Sequence, residues 1–393
     1  MNFMPRLAQG RLAQLLKTQK IVIILGSRQV GKTTLVQQVF RTRNVYFLNL
    51  DIEVDKQRFL AASKITPKAA IKSFGMPEVL VIDEAQGLIE TGKIVKGWYD
   101  SAISTKIVLL GSSSLNILNQ STESLTGRNV KLFLTPLLFK EIISTQDWYS
   151  TAFSWNKIQR QFSEQVRTLL LETLVFGSYP EAVTTAQKPQ YLTNLVSDFL
   201  LKDILNLGLV KDPGVIKRLL MLLAFQTGSE VSINELANNL NLSRVTVDRY
   251  IDLLEQTFVI FRLPAFSTNL RKEIAKNSKI YFWDTGIRNA LLGELSVNPL
   301  RSDIGKLWEN WVVSELAKEN IQLELGKTLY FWRSRAGSEV DLIVKDGEKI
   351  SAFEIKWLSH KKRGSKAFKD KYGVDVKIIT SNFPIVSLAE KND

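Results

Sequence analysis

Residues 26–34 read Gly-Ser-Arg-Gln-Val-Gly-Lys-Thr-Thr, directly after the apolar run Ile21–Leu25 and directly before a helix-compatible stretch from Thr33. This is G-x-x-x-x-G-K-T in the order strand, loop, helix. Gly26 and Gly31 let the backbone bend until its N–H groups face phosphate oxygens, and the helix N-terminus adds a positive dipole. Lys32 would reach the β- and γ-phosphates of a nucleotide, and Thr33 would ligate Mg²⁺. Ser27, Arg28, Gln29, Val30 and Thr34 complete the cradle. ATP with Mg²⁺ is the expected ligand pair, and Arg28 is a further candidate for nucleotide or inter-subunit contact.

A second apolar run, Val79–Ile82, ends in Asp83 and Glu84. Ligands of parallel sheets bind at the carboxyl ends of the strands, where these two acids fall. Asp83 would hold the magnesium shell, and Glu84 would orient or deprotonate an attacking water. The run Lys106–Leu110 leads into Gly111-Ser112-Ser113-Ser114, so Ser112 or Ser113 could place that water near the γ-phosphate, although a Gly-Ser cluster also makes an ordinary turn. Arg128 follows this strand. It could act across a subunit interface on a neighbour's γ-phosphate, or simply close a turn.

The last hundred residues carry a different set. Asp341 is followed by Glu354-Ile355-Lys356. Residues two apart in a strand point the same way, so Glu354 and Lys356 share a face. Asp341 on the neighbouring strand could meet Glu354 to hold Mg²⁺ or Mn²⁺ against a scissile phosphate, with Lys356 positioning water or stabilising charge. Glu309 could add a carboxylate from the preceding helix. An inert acid–lysine pair on the same strands is the alternative. The tryptophans Trp308, Trp311, Trp332 and Trp357 are expected in the core. His360 is expected on a solvent-facing loop. The run Lys361, Lys362, Arg363, Lys366, Lys369 and Lys371 suits either phosphate tracking or plain solvation.

The elements that must position these residues can be read from periodicity. Ile21–Leu25, Val45–Leu50, Val79–Ile82, Lys106–Leu110 and Val130–Leu134 are short apolar runs separated by polar, helix-compatible stretches, which indicates crossover helices around a mainly parallel sheet. Helices are predicted over 158–174 and 191–205, separated by the Gly-Ser-Tyr-Pro break at 177–180. A helix over 217–225 is followed by Ser232–Leu240 and by a second helix capped by Ser243, on which Val247, Ile251 and Leu254 share one face. With a strand at 259–263 as a wing, this predicts a winged helix that exposes Arg244, Thr246 and Arg249 to DNA. The same pattern also suits a protein-docking module or an ATPase lid. A helix over 304–316, three strands, a basic helix over 361–372 and a strand at 376–380 follow the order of restriction-endonuclease-like folds. The expected division is a P-loop ATPase domain over 1–140, a helical lid over 141–211, a winged helix over 212–285 and a restriction-endonuclease-like domain over 286–393.

Composition narrows the chemistry further. The 393 residues contain no cysteine and a single histidine, which excludes zinc ribbons, cysteine nucleophiles and disulfides, and any two-histidine metal site within one chain. Any metal must sit on oxygen ligands. The 52 Lys and Arg against 39 Asp and Glu give a net charge of +13, which favours a polyanion partner such as DNA. No leader-like segment and no membrane-length apolar run is present, so a cytoplasmic protein with no membrane partner is expected.

In order along nearly the whole chain, the sequence resembles the bacterial and archaeal AAA-type ATPases with a C-terminal winged helix and a restriction-endonuclease-like domain of uncertain function. The resembling residues are the loop 26–34, Tyr46–Asp51, Ile82-Asp-Glu-Ala-Gln86, Gly111–Ser114, Ser124-Leu-Thr-Gly-Arg128, Gly177-Ser-Tyr-Pro-Glu181, Lys202–Ile204, Tyr281-Phe-Trp-Asp-Thr-Gly286, Glu339–Asp341 and Glu354–Lys356. Thr126 stands where a small residue is expected. The reading that follows is an ATP hydrolase working as a homo-oligomer on DNA, with metal-dependent cleavage by the C-terminal acids. The alternative is a nucleotide-gated switch whose C-terminal domain only docks DNA or a partner.

Overall fold

The computed structural model describes residues 4–112, 125–200, 212–267, 278–358, 365–382, 384 and 386–389. It divides into two compact units, Met1–Thr135 with Gln256–Phe258, and Pro136–Glu255 with Val259–Asp393.

The first unit is built on a five-stranded, all-parallel sheet in the order β2-β3-β4-β1-β5. The strands are β1 (Ile21–Leu25), β2 (Val45–Asn49), β3 (Val79–Asp83), β4 (Lys106–Gly111) and β5 (Asn129–Phe133). All five predicted runs are strands, with ends moved by at most one residue. The central strands β1, β3 and β4 are apolar on both faces and almost wholly buried, as crossover helices on each side require. The edges β2 and β5 are partly exposed. Because β4 lies between β1 and β3, the residues that follow these three strands meet at one sheet edge.

In the second unit the helix predicted over 158–174 is two helices, Trp155–Gln161 and Ser163–Phe176, interrupted at Phe162. The helix predicted over 191–205 begins at Lys188, and from Leu195 to Leu200 its turns widen to π-helical spacing. Next come helices Pro213–Phe225, Ile233–Leu240 and Arg244–Gln256, then an antiparallel two-stranded ribbon, β6 (Ile260–Leu263) with β7 (Lys279–Phe282). A four-stranded mixed sheet closes the chain in the order β11-β10-β9-β8. Its strands are β8 (Thr328–Arg333), β9 (Glu339–Asp346), β10 (Lys349–Lys356) and β11 (Val376–Thr380). The helix Ile304–Gln322 packs Trp308, Trp311 and Leu316 with Leu342, Val344 and Ile355 of this sheet. The helix Lys366–Tyr372 packs Phe368 with Trp332, Ile343 and Ala352. Among the described residues no helix is long and apolar enough to cross a membrane.

Candidate functional site

The loop between β1 and the helix Lys32–Val39 has the conformation that phosphate binding needs. Gln29 and Gly31 both have positive φ, 61° and 92°. Gly26 is forced by space rather than by φ, because a Cβ there would lie 2.0 Å from the carbonyl oxygen of Leu134. Lys32 is buried, and its Nζ donates to the carbonyl oxygens of Gly26 and Ser27 at 2.9 and 3.0 Å. The cation thus lies inside the loop that would wrap the phosphates. Arg6, which sequence reasoning passed over, donates from its buried guanidinium to Val30 O at 2.8 Å and Thr135 O at 2.6 Å and braces the loop from behind.

The acids meet this loop. The Thr33 hydroxyl donates to Asp83 Oδ2 at 2.6 Å, and Asp83 Oδ1 accepts from the Glu84 backbone N–H at 2.8 Å. A hydroxyl and a carboxylate side by side are the hard oxygen donors that Mg²⁺ takes, so these residues fit that ion. Glu84 sits in the left-handed region at φ 49°, a conformation that non-glycine residues adopt at a cost and that clusters at functional sites. Burial pushes its carboxyl above the ordinary carboxylate range, and the positive charges of Lys32 and Arg28 oppose that rise. A rise in that direction makes the carboxylate a stronger proton acceptor. Ser112, buried at the end of β4, is joined to this group through Gln86 Nε2 at 3.0 Å. Ser113 and Ser114 lie outside the described residues.

Residues 18–143 match the family described as "AAA domain". Residues 18–143 are an AAA domain of the P-loop ATPase class. Residues 167–297 and 304–386 match two families each described as a domain of unknown function, DUF8612 and DUF4143. An uncharacterized protein of Haemophilus influenzae is 26% identical over 388 residues, covering 92% of this chain and 90% of its own. An uncharacterized protein of Mycobacterium tuberculosis is 27% identical over 358 residues, covering 89% of this chain and 73% of its own. The Walker-type ATPase of Pyrococcus abyssi shares the fold at TM-score 0.50 and 14% identity, over 74% of this chain and 96% of that one.

Arg128 lies at the far edge of the AAA domain's sheet from its own loop. It precedes β5, whose first residue pairs with Ile21 at the start of β1, whereas Gly26 follows the end of β1. Five residues of strand, roughly 17 Å, separate the two ends. Its Nε donates to Asp100 Oδ1 at 2.6 Å.

Away from the AAA domain, Asp341 is brought against the Glu-x-Lys strand. Asp341 Oδ2 accepts from the Ile355 N–H at 2.7 Å and lies 3.4 Å from Lys356 Nζ, so Asp341 does meet the Glu-x-Lys strand. Glu309 instead accepts from Lys279 Nζ at 3.1 Å and from the Tyr281 hydroxyl at 2.7 Å. Lys279 is buried and also pairs with Glu339 at 2.5 Å. Among the described residues no group of three or more acidic or histidine side chains could hold a metal. Of the expected set, Asp341 thus meets the strand of Glu354 and Lys356, and Glu309 pairs with Lys279 and Tyr281. An internal ammonium from β7, that of Lys279, pairs with Glu309. Sequence reading missed Lys279 because it lies 30 positions before Glu309, on a strand outside the expected fold core.

The helix Arg244–Gln256 leaves Arg244 and Arg249 exposed and buries Val247, Ile251 and Leu254, as periodicity predicts. Ser243 caps it, accepting from the Thr246 N–H at 3.1 Å, and Thr246 is half-buried. Three acids of the same helix share one arginine of the ribbon. Arg262 donates to Asp248 at 3.0 Å and to Asp252 at 2.7 Å, and pairs with Glu255. Of the basic run near the C-terminus, Lys369 pairs with Asp375 at 2.6 Å and Lys371 lies over the Tyr372 ring, while His360, Lys361, Lys362 and Arg363 lie outside the described residues.

Proposed function

We propose that the chain hydrolyses ATP with Mg²⁺ and couples that turnover to DNA binding. The observation that carries the reading is the meeting of Lys32, Thr33, Asp83 and Glu84 at one edge of a parallel sheet. The loop 26–34 would bind the phosphates through its backbone N–H groups, with Lys32 turning from its carbonyl partners toward the β- and γ-phosphates. Thr33 and Asp83 would hold Mg²⁺, which when bound supplies neutralising charge to the phosphate oxygens. Glu84 would take the proton of the attacking water. DNA binding rests on the exposed Arg244 and Arg249 and on the net charge of +13. We read the second unit as a helical lid, a winged helix and a restriction-endonuclease-like domain. Arg128 suits a contact across subunits of a homo-oligomer.

For the C-terminal domain the reading as an inert docking module is favoured over cleavage, because Lys279 and Tyr281 already bind the Glu309 carboxylate. The test of the ATPase reading uses two variants. Lys32→Ala should weaken ATP binding and abolish hydrolysis. Glu84→Gln should keep ATP binding and lose turnover by roughly 10²-fold or more, because only the proton acceptor changes. Hydrolysis by Lys32→Ala near the wild-type rate would sink the reading.

A further inference from the structure

Arg6 lies just before the helix Ala8–Leu15, which packs on β5 and on the helix Lys32–Val39. Its guanidinium is buried and joins two carbonyl oxygens far apart in sequence, Val30 O and Thr135 O. Thr135 follows β5. The Leu134 N–H just before it donates to Leu25 O at 2.7 Å, so this stretch runs beside the end of β1. In the sheet order β5 flanks β1 on one side, whereas β4 and β3 lie on the other. Thr33, bonded to Asp83 at the end of β3, therefore marks the opposite side of the loop from Thr135. Arg6 draws the Val30 carbonyl toward the β5 side. A trans peptide points its C=O and the following N–H in opposite directions. The carbonyl that Arg6 holds shares a peptide plane with the N–H of Gly31, which is thus turned away from β5 and toward the side of Thr33 and Asp83. Val30 is wholly buried, Gly31 is half-buried, and among the described residues the Gly31 N–H donates to no backbone oxygen. Glycine accepts either hand of φ, so sterics alone would let this peptide turn over; a donor on its carbonyl selects one face.

We propose that Arg6 is a positioning residue for the nucleotide's phosphates: by holding the Val30 carbonyl it fixes the Val30–Gly31 peptide with its N–H facing the bound phosphates. Arg6 touches no phosphate in this role and acts through the loop backbone. Aligned N–H groups are what make such a loop an anion site. A group already aimed before the ligand arrives need not be ordered on binding, so the preset peptide raises affinity. The guanidinium suits the task because its planar fork reaches two carbonyls at a fixed separation, which ties the loop to the chain leaving β5; an ammonium on a flexible stem holds one of them less rigidly.

The inference rests on the ATPase reading, and the experiment separates the two. Equilibrium binding of magnesium ATP and of magnesium tripolyphosphate, which carries phosphates without base or ribose, is measured for the wild type, Arg6→Met and Arg6→Lys, together with the melting temperature of each apoprotein. Arg6→Met should lose at least about tenfold in affinity for both ligands, the range of one hydrogen bond to a charged group. Arg6→Lys restores a donor to the Val30 carbonyl and should recover at least about threefold of that loss for both. A tie that serves only stability would lower the melting temperature and leave both affinities within about threefold of wild type, and the proposal then falls. A loss for ATP alone, with tripolyphosphate bound as in wild type, would move Arg6 to the base or ribose and overturns it as well. Should Arg6→Met not fold, Arg6→Gln, whose single amide can serve only one of the two carbonyls, is read by the same measurements. Lys32→Ala is measured alongside. If the wild type binds neither ligand, or Lys32→Ala hydrolyses ATP near the wild-type rate, the ATPase reading fails. If the wild type binds both and the Arg6 variants bind them equally well, only the role of Arg6 is overturned.

Discussion

At the scale of single residues, the phosphate loop depends on one glycine for want of space. Gly26 is the residue behind which Leu134 brings its carbonyl oxygen, and a methyl group there would lie 2.0 Å from that oxygen. The obstacle is backbone at the end of β5, which cannot rotate away as a side chain can. Gly26→Ala should therefore displace the loop from β5, with loss of ATP affinity by at least about tenfold and a lower melting temperature in the absence of nucleotide. Isothermal titration with ATP and a thermal scan of the apoprotein check both, and wild-type values in both would mean that the loop does not pack as described. Gly26, Lys32 and Thr33 were legible in sequence because their chemistry is written in local spacing. Arg6 and the contact of Gln86 with Ser112 were not. Arg6 reaches residues 24 and 129 positions away, and Gln86 reaches Ser112 only because β4 inserts beside β3. Such contacts follow from strand order, which spacing alone does not encode.

At the scale of elements, the helix Ile304–Gln322 is the element that sequence periodicity measured worst. Its apolar spacing ends at Leu316, yet the helix continues six residues further. The extension is polar but buried. Lys318 donates to Ser178 Oγ at 2.9 Å and Glu319 accepts from Ser387 Oγ at 2.6 Å, and Glu315, just before Leu316, accepts from the Phe139 N–H at 2.7 Å. Polar residues there satisfy buried partners rather than solvent, so they read from sequence as a helix end. The same helix carries Glu309 into the cluster with Lys279, Tyr281 and Glu339. Lys279 is only 2% exposed, and its removal leaves the largely shielded Glu309, 16% exposed, near Asp341 without its cation. Removing one partner of a buried ion pair is far costlier than removing both. Lys279→Met should thus destabilise the second unit by about 3 kcal/mol, and adding Glu309→Leu should recover much of that loss. Denaturant unfolding followed by the fluorescence of Trp308 and Trp311 reads this out. A cost for Lys279→Met below about 0.5 kcal/mol would place the pair among exposed, weak ones and return Glu309 to the pool of free acids.

At the scale of the whole molecule, the excess of thirteen positive charges is legible in composition but its location is not. Some basic side chains are already engaged: Arg262 by three acids, Lys369 by Asp375, and Lys279 by Glu309 and Glu339. Arg244 and Arg249 project from the helix that follows the capped turn at Ser243, and Lys366 is exposed at the start of the C-terminal helix. If these residues meet phosphates, duplex DNA affinity must fall steeply with salt, because each neutralised phosphate releases condensed counterions. A footprint of six phosphates gives a log–log slope of about −5. Replacing Arg244 and Arg249 together by Ala should flatten it by up to about two units, and Lys366→Ala by about one, since the slope counts contacts. ATP hydrolysis measured without DNA should not change, because none of these residues belongs to the AAA domain. The two variants also discriminate between surfaces. Flattening by the arginine pair alone would put DNA on the helix after Ser243, and flattening by Lys366 alone would put it on the C-terminal sheet. A wild-type slope near zero would remove DNA from the reading and leave the nucleotide-gated domain with a protein partner, whose docking would show little dependence on counterion release.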